Sequence, residues 1–196
     1  MEILIAICSG IGLAAACGLR VFLPLLALSA GAKLGLVTPS EGWEWIASTP
    51  ALVALSCATF VEVAGYSVPW IDHALDTLAT PLAVTAGAVA ALSTMGVVSG
   101  IDPMVSHAGA LLTGGAAAGA VQGASVLTRA ASTTLTAGVA NPVISWIQNA
   151  VSAAFSLIAI VAPVVAGLAL LLIAAILVRR WTRRPPAART PAPLAA

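Results

Sequence analysis

The sequence predicts an all-α fold, a polytopic bundle of transmembrane helices with about five or six membrane segments, some of them broken or re-entrant. Of its 196 residues, 60% are hydrophobic and only 8% are charged, and the mean hydropathy is +1.07. Soluble domains carry roughly 25% charged residues, so this chain lacks the polar side chains that would cover a soluble fold. Its apolar runs reach the length of about 20 residues that one crossing requires.

The first apolar run covers residues 3–36 and contains both Arg20 and Pro24. With a rise of about 1.5 Å per residue, a helix of this length exceeds one bilayer crossing. It is either one tilted helix or a broken helix that turns near Pro24. The polar stretch that follows, residues 37–50, contains two of the five Trp residues and predicts an interfacial connection.

Four further apolar runs follow, at about residues 51–66, 78–100, 105–128 and 141–178. The last run begins at Asn141 and is interrupted by Pro163, which we interpret as one interfacial helix plus one span. A Thr/Ser-rich link is expected before Asn141. All five Trp residues fall near a predicted membrane boundary, which suits an apolar ring with a polar N–H group.

Composition divides the chain into a transmembrane domain over residues 1–180 and a tail over residues 181–196. Five of the eight basic residues lie at this end: Arg179, Arg180, Arg183, Arg184 and Arg189. The tail is also rich in Pro and Ala, so it is expected to be disordered. Basic residues after the last span predict a cytoplasmic C-terminus. We therefore expect a multi-pass protein of a bacterial plasma (inner) membrane.

Several classes of protein are not supported by the sequence. The cysteines, Cys8, Cys17 and Cys57, lack the CxxC or Cys/His spacing of a zinc site and indicate no disulfide framework. No basic patch is interleaved with aromatic residues, which argues against nucleic acid binding. There is no GxSxG, HExxH, Walker A or dinucleotide-binding motif. We predict no cofactor and no bound metal. We also predict no enzyme activity, with an intramembrane enzyme as the alternative.

Arg20 is the most informative residue, because it lies deep in an apolar run where an unpaired charge is costly. In a functional role it forms a site for an anion or a lipid headgroup, or a gating ion pair with an acid such as Glu62. The alternative is a helix end near the interface, with the guanidinium extended to the head groups. Glu62 is either a carboxylate for a proton or cation, or a terminal charge among hydrated head groups.

An acidic segment follows the second span. Asp72 and Asp76 are four residues apart and share one face if the segment is helical, and His73 lies beside them. Pro69 suits the first turn of a helix, where the negative charge of Asp72 is then favoured. Two carboxylates and an imidazole can bind a cation or shuttle protons. The alternative is a capped and solvated interfacial helix.

Glycines recur every four residues at the end of the third span and along the fourth: Gly96, Gly100, Gly115, Gly119 and Gly123. Glycines on one face let two helix backbones approach closely. We expect them to pack helices within the chain or between subunits of a homo-oligomer, with the lipid bilayer as the other partner. The alternative is a pore lined by the fourth span, with Gln122 and Arg129 facing water.

Small transporters are often built from inverted repeats, so an internal duplication would favour a transport role. An alignment that pairs Arg20 with Arg129 requires a different offset from one that pairs Asp72 with Ser145. The two alignments therefore do not form one consistent repeat.

Three strings stand out together, residues 18–24 around the first arginine, residues 69–76 with the acidic segment, and residues 141–145. With Glu62 between the first two, this combination resembles a bacterial family of small membrane proteins known as a domain of unknown function. The resemblance covers about residues 5–178.

The resemblance implies a multi-spanning membrane domain without an assigned activity. It draws attention to four residues: Arg20, Glu62, Asp72 and Asp76. The family is expected to carry an acidic pair shortly after the Asn-Pro string, where this chain has Gln148 and Asn149. A charge-dependent role of the second half is therefore weakened in this chain.

Two hypotheses of function follow. The first is a small transporter or channel-like protein for an ion or small polar solute, with Arg20 as an intramembrane charge. Its candidate cation or proton groups are Glu62, Asp72 and Asp76. The second is a structural or interaction protein, a helix bundle that binds lipid or a partner. A water-filled cavity reaching Arg20 or Glu62 favours the first, and polar residues paired at the interfaces favour the second.

Overall fold

The computed structural model describes residues 2–66, 69–96 and 102–182, which form seven α-helices, one short 3-10 turn and no β-strand. The helices are α1 (Glu2–Cys17), α2 (Phe22–Lys33), α3 (Thr49–Gly65), α4 (Pro69–Met95), α5 (Pro103–Thr136), α6 (Asn141–Val161) and α7 (Pro163–Thr182). The 3-10 turn covers Glu44–Ala47 and joins α2 to α3. The boundary proposed between the membrane domain and the tail stays a prediction.

Four helices of the described chain are long and apolar enough to cross a membrane: Leu78–Met95, Pro103–Thr136, Asn141–Val161 and Pro163–Arg180. Three shorter apolar helices are Ile3–Cys17, Phe22–Lys33 and Thr49–Gly65. The predicted fold class is confirmed. The last apolar run differs from expectation, because Pro163 divides it into two helices that both have the length of a span.

The helix α5 is 34 residues long. Its length of roughly 51 Å exceeds the hydrocarbon thickness of about 30 Å. The Thr/Ser-rich link expected after residue 128 is instead the last part of this helix. The hydroxyl groups of Thr133 and Thr136 donate to main-chain carbonyls four residues back, so they are satisfied without leaving the helix. The helix ends where Ala137 and Gly138 adopt φ values of 52° and 83°.

The helix α1 lies at the centre of the described bundle and contacts α4, α5, α6 and α7. Its first residues, such as Ile3 and Ile5, are exposed, whereas every residue from Leu13 to Cys17 is buried. Most of its buried residues are small, which lets several helices pack closely around it. The C-terminal end of α1 therefore lies inside the protein.

The first apolar run is broken at residues 18–21, shortly before Pro24. Of the two predicted forms, the broken helix is therefore present. Pro24 lies in the first turn of α2, where the missing N–H group costs little. A Cβ atom added to Gly18 would lie 2.6 Å from Cβ of Val121 and against the carbonyl oxygen of Ala118. This close approach to α5 explains the glycine at the break.

The helices α2 and α3 form a hairpin whose connection is held by side chains. Ser29 donates its hydroxyl to the carbonyl oxygen of Ile46 at 2.6 Å, and Lys33 donates to the hydroxyl of Thr49 at 2.6 Å. The hydroxyl of Ser48 caps the start of α3. The hairpin contacts the bundle mainly through α2, because contacts between α3 and α4 are sparse.

The helices α4 and α5 pack together through small residues. Their backbones approach closely at Gly87 and Gly114, where a Cβ atom on Gly114 would lie 2.5 Å from the carbonyl oxygen of Gly87. Two of the predicted packing glycines, Gly115 and Gly119, face the side chain of Val84 on α4. Added Cβ atoms there would lie 3.3 and 3.2 Å from its methyl groups.

The other predicted packing glycines lie in different surroundings. Gly96 directly follows α4 with φ of 58°, and an added Cβ atom would lie 3.0 Å from Oγ of Ser40. A Cβ atom on Gly123 would meet no atom within 4 Å, so its face is open in the single chain. Gly100 lies outside the described residues. Packing of these glycines between subunits stays a prediction.

Candidate functional site

Arg20 lies in the break between α1 and α2 and is the largest fully buried side chain among the described residues, with 2% of its surface exposed. Its Nε donates to Oδ1 of Asn149, and its Nη2 donates to the main-chain carbonyl oxygen of Ser145 at 3.0 Å. Both acceptors belong to α6. The guanidinium group is therefore enclosed by protein instead of extended along the surface.

Arg129 is a second buried arginine, on α5, with 4% of its surface exposed. Its Nη2 donates to the hydroxyl of Ser145 at 2.8 Å and to Oε1 of Gln148 at 3.1 Å. The Gln148 amide then donates to the hydroxyl of Ser125 at 2.7 Å. These bonds join α5 to α6. Gln122, which like Arg129 was expected to face water if α5 lined a pore, is also buried.

Tyr66, directly after α3, brings the two arginines together. Cζ of Arg20 lies 3.9 Å from the centroid of the Tyr66 ring, and Cζ of Arg129 lies 4.6 Å from it. A guanidinium group within about 6 Å of a ring centroid gains roughly 0.5–2 kcal/mol. We call the following residues the arginine cluster: Arg20, Tyr66, Arg129, Ser145, Gln148 and Asn149.

Glu62 lies one turn before Tyr66 and is 5% exposed. Its Oε1 accepts the N–H of Val21 at 2.7 Å, and its Oε2 accepts the N–H of Phe22 at 3.0 Å. The side chain of Val21 does not cap α2, so a carboxylate from α3 satisfies these donors at the positive end of the helix dipole. Arg20 also attracts this carboxylate. Glu62 is thus a buried cap of the broken helix, and its proton or cation role stays a prediction.

The acidic segment lies in the first turns of α4, which begins at Pro69. The side chains of Asp72, His73 and Asp76 lie outside what the structure describes. Their part in binding a cation or moving protons stays a prediction. Among the side chains that are described, no group of three His, Cys, Asp or Glu residues could hold a metal ion.

The polar face of α6 supplies the acceptors of the cluster, and sequence reasoning missed it. The buried polar residues of this helix include Ser145, Gln148, Ser152 and Ser156. Their spacing of three or four residues marks one helix face, so the signal is present in the sequence. The hydroxyl of Ser152 donates to the carbonyl oxygen of Ala16 at 3.2 Å. The polar face therefore contacts the end of α1.

Gln148 and Asn149 occupy the region in which the family resemblance implies an acidic pair. Their side-chain oxygens accept hydrogen bonds from Arg129 and Arg20, respectively. The two amides therefore accept hydrogen bonds from the arginines without adding negative charge.

A cleft of about 360 Å³ opens between α3 and α4, next to the start of α2. Glu62 and Tyr66 are buried residues of its lining, and we call this part of the cleft its inner end. The other lining residues are Val21, Phe22, Cys57, Ala58, Val61, Leu75, Ala79 and Leu82. The cleft thus reaches Glu62, but its walls are almost entirely apolar. It is therefore not the water-filled cavity that would by itself favour a solute pathway.

Comparison with known proteins identifies a family but no characterised relative. A family model described as a domain of unknown function (DUF4126) matches residues 7–183, which include Arg20, Glu62 and Arg129. The family resemblance drawn from the sequence motifs is confirmed. No curated protein and no solved structure matches the chain.

Proposed function

This chain belongs to the DUF4126 family, a domain of unknown function, and we propose that it is a small transporter or channel-like protein for an ion or small polar solute. The arginine cluster is the proposed solute site. One observation carries this proposal: two guanidinium groups, those of Arg20 and Arg129, are buried against one Tyr66 ring inside an apolar helix bundle.

Burial of charge is the first argument. Ionisable side chains inside a membrane bundle are costly and commonly mark substrate or ion pathways and proton relays. Apolar side chains of similar volume often stabilise a protein interior at least as well as buried charges do. Two arginines at one point are thus better explained by a solute that they recognise than by stability alone.

The broken helix is the second argument. Many transporters form the solute site from discontinuous helices whose ends lie near the middle of the bilayer. Here α1 ends inside the bundle and α2 begins beside it, with Arg20 between them. Main-chain groups at the two helix ends, already contacted by Glu62 and Ser152, lie near the same cluster.

The chemistry of the cluster favours a solute with negative charge or acceptor oxygens, because arginine donates hydrogen bonds and accepts none. Carboxylates beside such a site can exchange a proton or a cation during transport. Glu62 is a candidate for that exchange by its position, and Asp72 and Asp76 are candidates from the sequence alone.

A structural role is the alternative, and the bonds of Arg129 favour it. Gln148 accepts from Arg129 and donates to Ser125, so the three residues hold α5 and α6 in register. In this role the chain is a bundle that binds lipid or a partner, and the open face at Gly123 is a site for self-association. Neither role includes a chemical reaction, and we propose that the protein is not an enzyme.

The apolar helices agree with a multi-pass membrane protein. We propose that it resides in the plasma (inner) membrane with a cytoplasmic C-terminus. The basic residues Arg179 and Arg180, exposed at the end of α7, support this orientation.

Flux measurements in proteoliposomes test the transport proposal. One set of vesicles contains a pH-sensitive dye that reports protons, and a second contains a chloride-sensitive dye that reports a small anion. Protein-free vesicles set the background. We expect wild-type protein to carry flux above background in at least one set, and Arg20→Ala to return that flux to background.

The matched control is Arg180→Ala, because Arg180 is an exposed arginine on α7, away from the cluster. This variant is expected to retain wild-type flux. Gel filtration and thermal unfolding show whether each variant is folded, and Arg20→Lys provides a second variant that keeps the charge. Equal flux in wild type and Arg20→Ala, or no flux in either, contradicts transport and favours the structural role.

A further inference from the structure

The cleft between α3 and α4 is a space that the proposed transport role leaves unexplained. The two helices make few direct contacts, and about 360 Å³ lies between them. This volume falls within the range of roughly 300–1,000 Å³ that is typical of ligand pockets. Within the bilayer, apolar walls that face a gap lose their packing contacts unless another molecule supplies them.

The mouth of the cleft opens on an apolar surface. Val61 and Leu82 line the cleft on opposite helices, and 64% and 42% of their surfaces are exposed. Exposed apolar residues continue from the mouth along the same helices, such as Phe60 on α3 and Leu78 on α4. This surface is the kind that lipid covers in a membrane helix bundle, so the cleft is continuous with the lipid-facing exterior.

The polar groups at the inner end are directed into the protein. Both carboxylate oxygens of Glu62 accept main-chain N–H groups at the start of α2. The ring of Tyr66 lies over the guanidinium of Arg20. The groups that the cleft offers to an occupant are therefore mainly methyl and methylene groups, which suit a hydrocarbon chain better than a polar solute.

From these contacts we propose that the cleft binds one acyl chain of a membrane phospholipid. The chain enters from the bilayer, packs between Val61 and Leu82, and ends beside Glu62 and Tyr66. It supplies the packing that α3 and α4 do not give each other, and it separates the α2–α3 hairpin from α4. This binding site does not depend on whether the arginine cluster carries a solute.

Photo-crosslinking tests the site in full-length protein reconstituted in phosphatidylcholine bilayers. A phosphatidylcholine with a diazirine on one acyl chain is activated by light, and labelled peptides are mapped by mass spectrometry. We expect labelling concentrated on the cleft residues of α3 and α4, above the level on α7. Helix α7 is a suitable background, because its span is mostly exposed.

Variants that fill the cleft give the decisive comparison. Ala58→Phe adds a ring inside the cleft, whereas Ala54→Phe adds the same ring one turn away, at an exposed residue outside its lining. We expect Ala58→Phe to reduce labelling of the cleft to the level of α7, and Ala54→Phe to leave it unchanged. Leu82→Phe fills the cleft from the opposite helix, and keeps the test valid if Ala58→Phe does not fold.

A second arm uses a diazirine fatty acid in place of the phospholipid. The proposal is supported if the phospholipid labels the cleft and the filling variants abolish this labelling. Even labelling of all exposed helices, labelling unchanged by both filling variants, or labelling by the free fatty acid alone overturns it. The dye-flux experiment reports separately on the arginine cluster, so either proposal can fail without the other.

Discussion

Two regions of the molecule bring an arginine to the same tyrosine in different ways. Arg129 extends from within the continuous helix α5, whose backbone conformation is held by hydrogen bonds within the helix itself. Arg20 extends from a break, where α1 has ended and α2 has not yet begun. Both guanidinium groups nevertheless contact the ring of Tyr66 and acceptors on α6.

The difference lies in what holds each arginine in place. The backbone near Arg129 is held by the hydrogen bonds of its own helix. The backbone near Arg20 depends on Glu62 of α3 for the first N–H groups of α2, and on the tight contact of Gly18 with α5. The broken region should therefore be the more sensitive of the two to single substitutions, and three predictions test this comparison.

The largest effect is expected for Glu62→Ala, which removes the acceptor for the N–H groups of Val21 and Phe22. A buried donor without a partner costs about 1–3 kcal/mol, so the two together predict a loss of roughly 2–6 kcal/mol in the free energy of unfolding. Unfolding of the purified protein in detergent micelles measures this loss. Glu62→Gln keeps one acceptor oxygen and should fall between Glu62→Ala and wild type.

Glu44→Ala is the control for this prediction. Glu44 also accepts a main-chain N–H, that of Gly42, but at an exposed position where water can replace it. Its loss should cost less than about 1 kcal/mol. Equal destabilisation by Glu44→Ala and Glu62→Ala would show that the cap does not stabilise the break.

An intermediate effect is expected for Gly18→Ala. The added methyl group would lie 2.6 Å from Cβ of Val121, so the break and α5 must separate. Overpacking of this kind typically costs about 1–3 kcal/mol. Gly123→Ala in the continuous helix meets no atom within 4 Å and should raise stability by up to about 1 kcal/mol through helix propensity. The comparison fails if thermal unfolding ranks the two variants in the reverse order.

The smallest effect is expected for Tyr66→Leu, which keeps an apolar side chain but removes the ring. The loss of two cation–π contacts, each worth at least about 0.5 kcal/mol, predicts a decrease in stability of at least about 1 kcal/mol. Double-mutant cycles with Arg20→Leu and Arg129→Leu separate the two contacts. We expect the larger coupling energy for Arg20, because it is 3.9 Å from the ring centroid and Arg129 is 4.6 Å from it. A coupling energy near zero in both cycles would mean that the ring does not link the arginines.

The contrast between the two regions also explains what the sequence could predict. The helix class follows from composition, whereas the length of the run around Arg20 and Pro24 left one tilted helix and a broken helix as alternatives. The start of α6 at Asn141 followed from the Asn-Pro string. These features depend on local sequence, as does the formation of the continuous helix α5. The sequence predicts the end of α5 too early, because the hydroxyls of Thr133 and Thr136 can form hydrogen bonds within a helix as well as in a link.

The cluster itself could be predicted only in part. The sequence indicates that Arg20 and Glu62 are unusual charges. The cap that Glu62 provides, however, joins residues 41 positions apart, which no local pattern encodes. Tyr66 is the single tyrosine of the chain, and nothing beside it in sequence indicates that two arginines will pack on its ring. The polar face of α6 was the available signal, since Ser145, Gln148 and Ser152 follow helical spacing.

The most direct test of the account is the flux of Arg129→Ala in the same proteoliposomes that are used for Arg20→Ala. If both arginines form one solute site on Tyr66, removal of either should return flux to background while the protein stays folded in gel filtration. Arg180→Ala should carry wild-type flux in parallel. A folded Arg129→Ala protein with wild-type flux, beside an inactive Arg20→Ala protein, would contradict the account, because the two regions would then not act as one site.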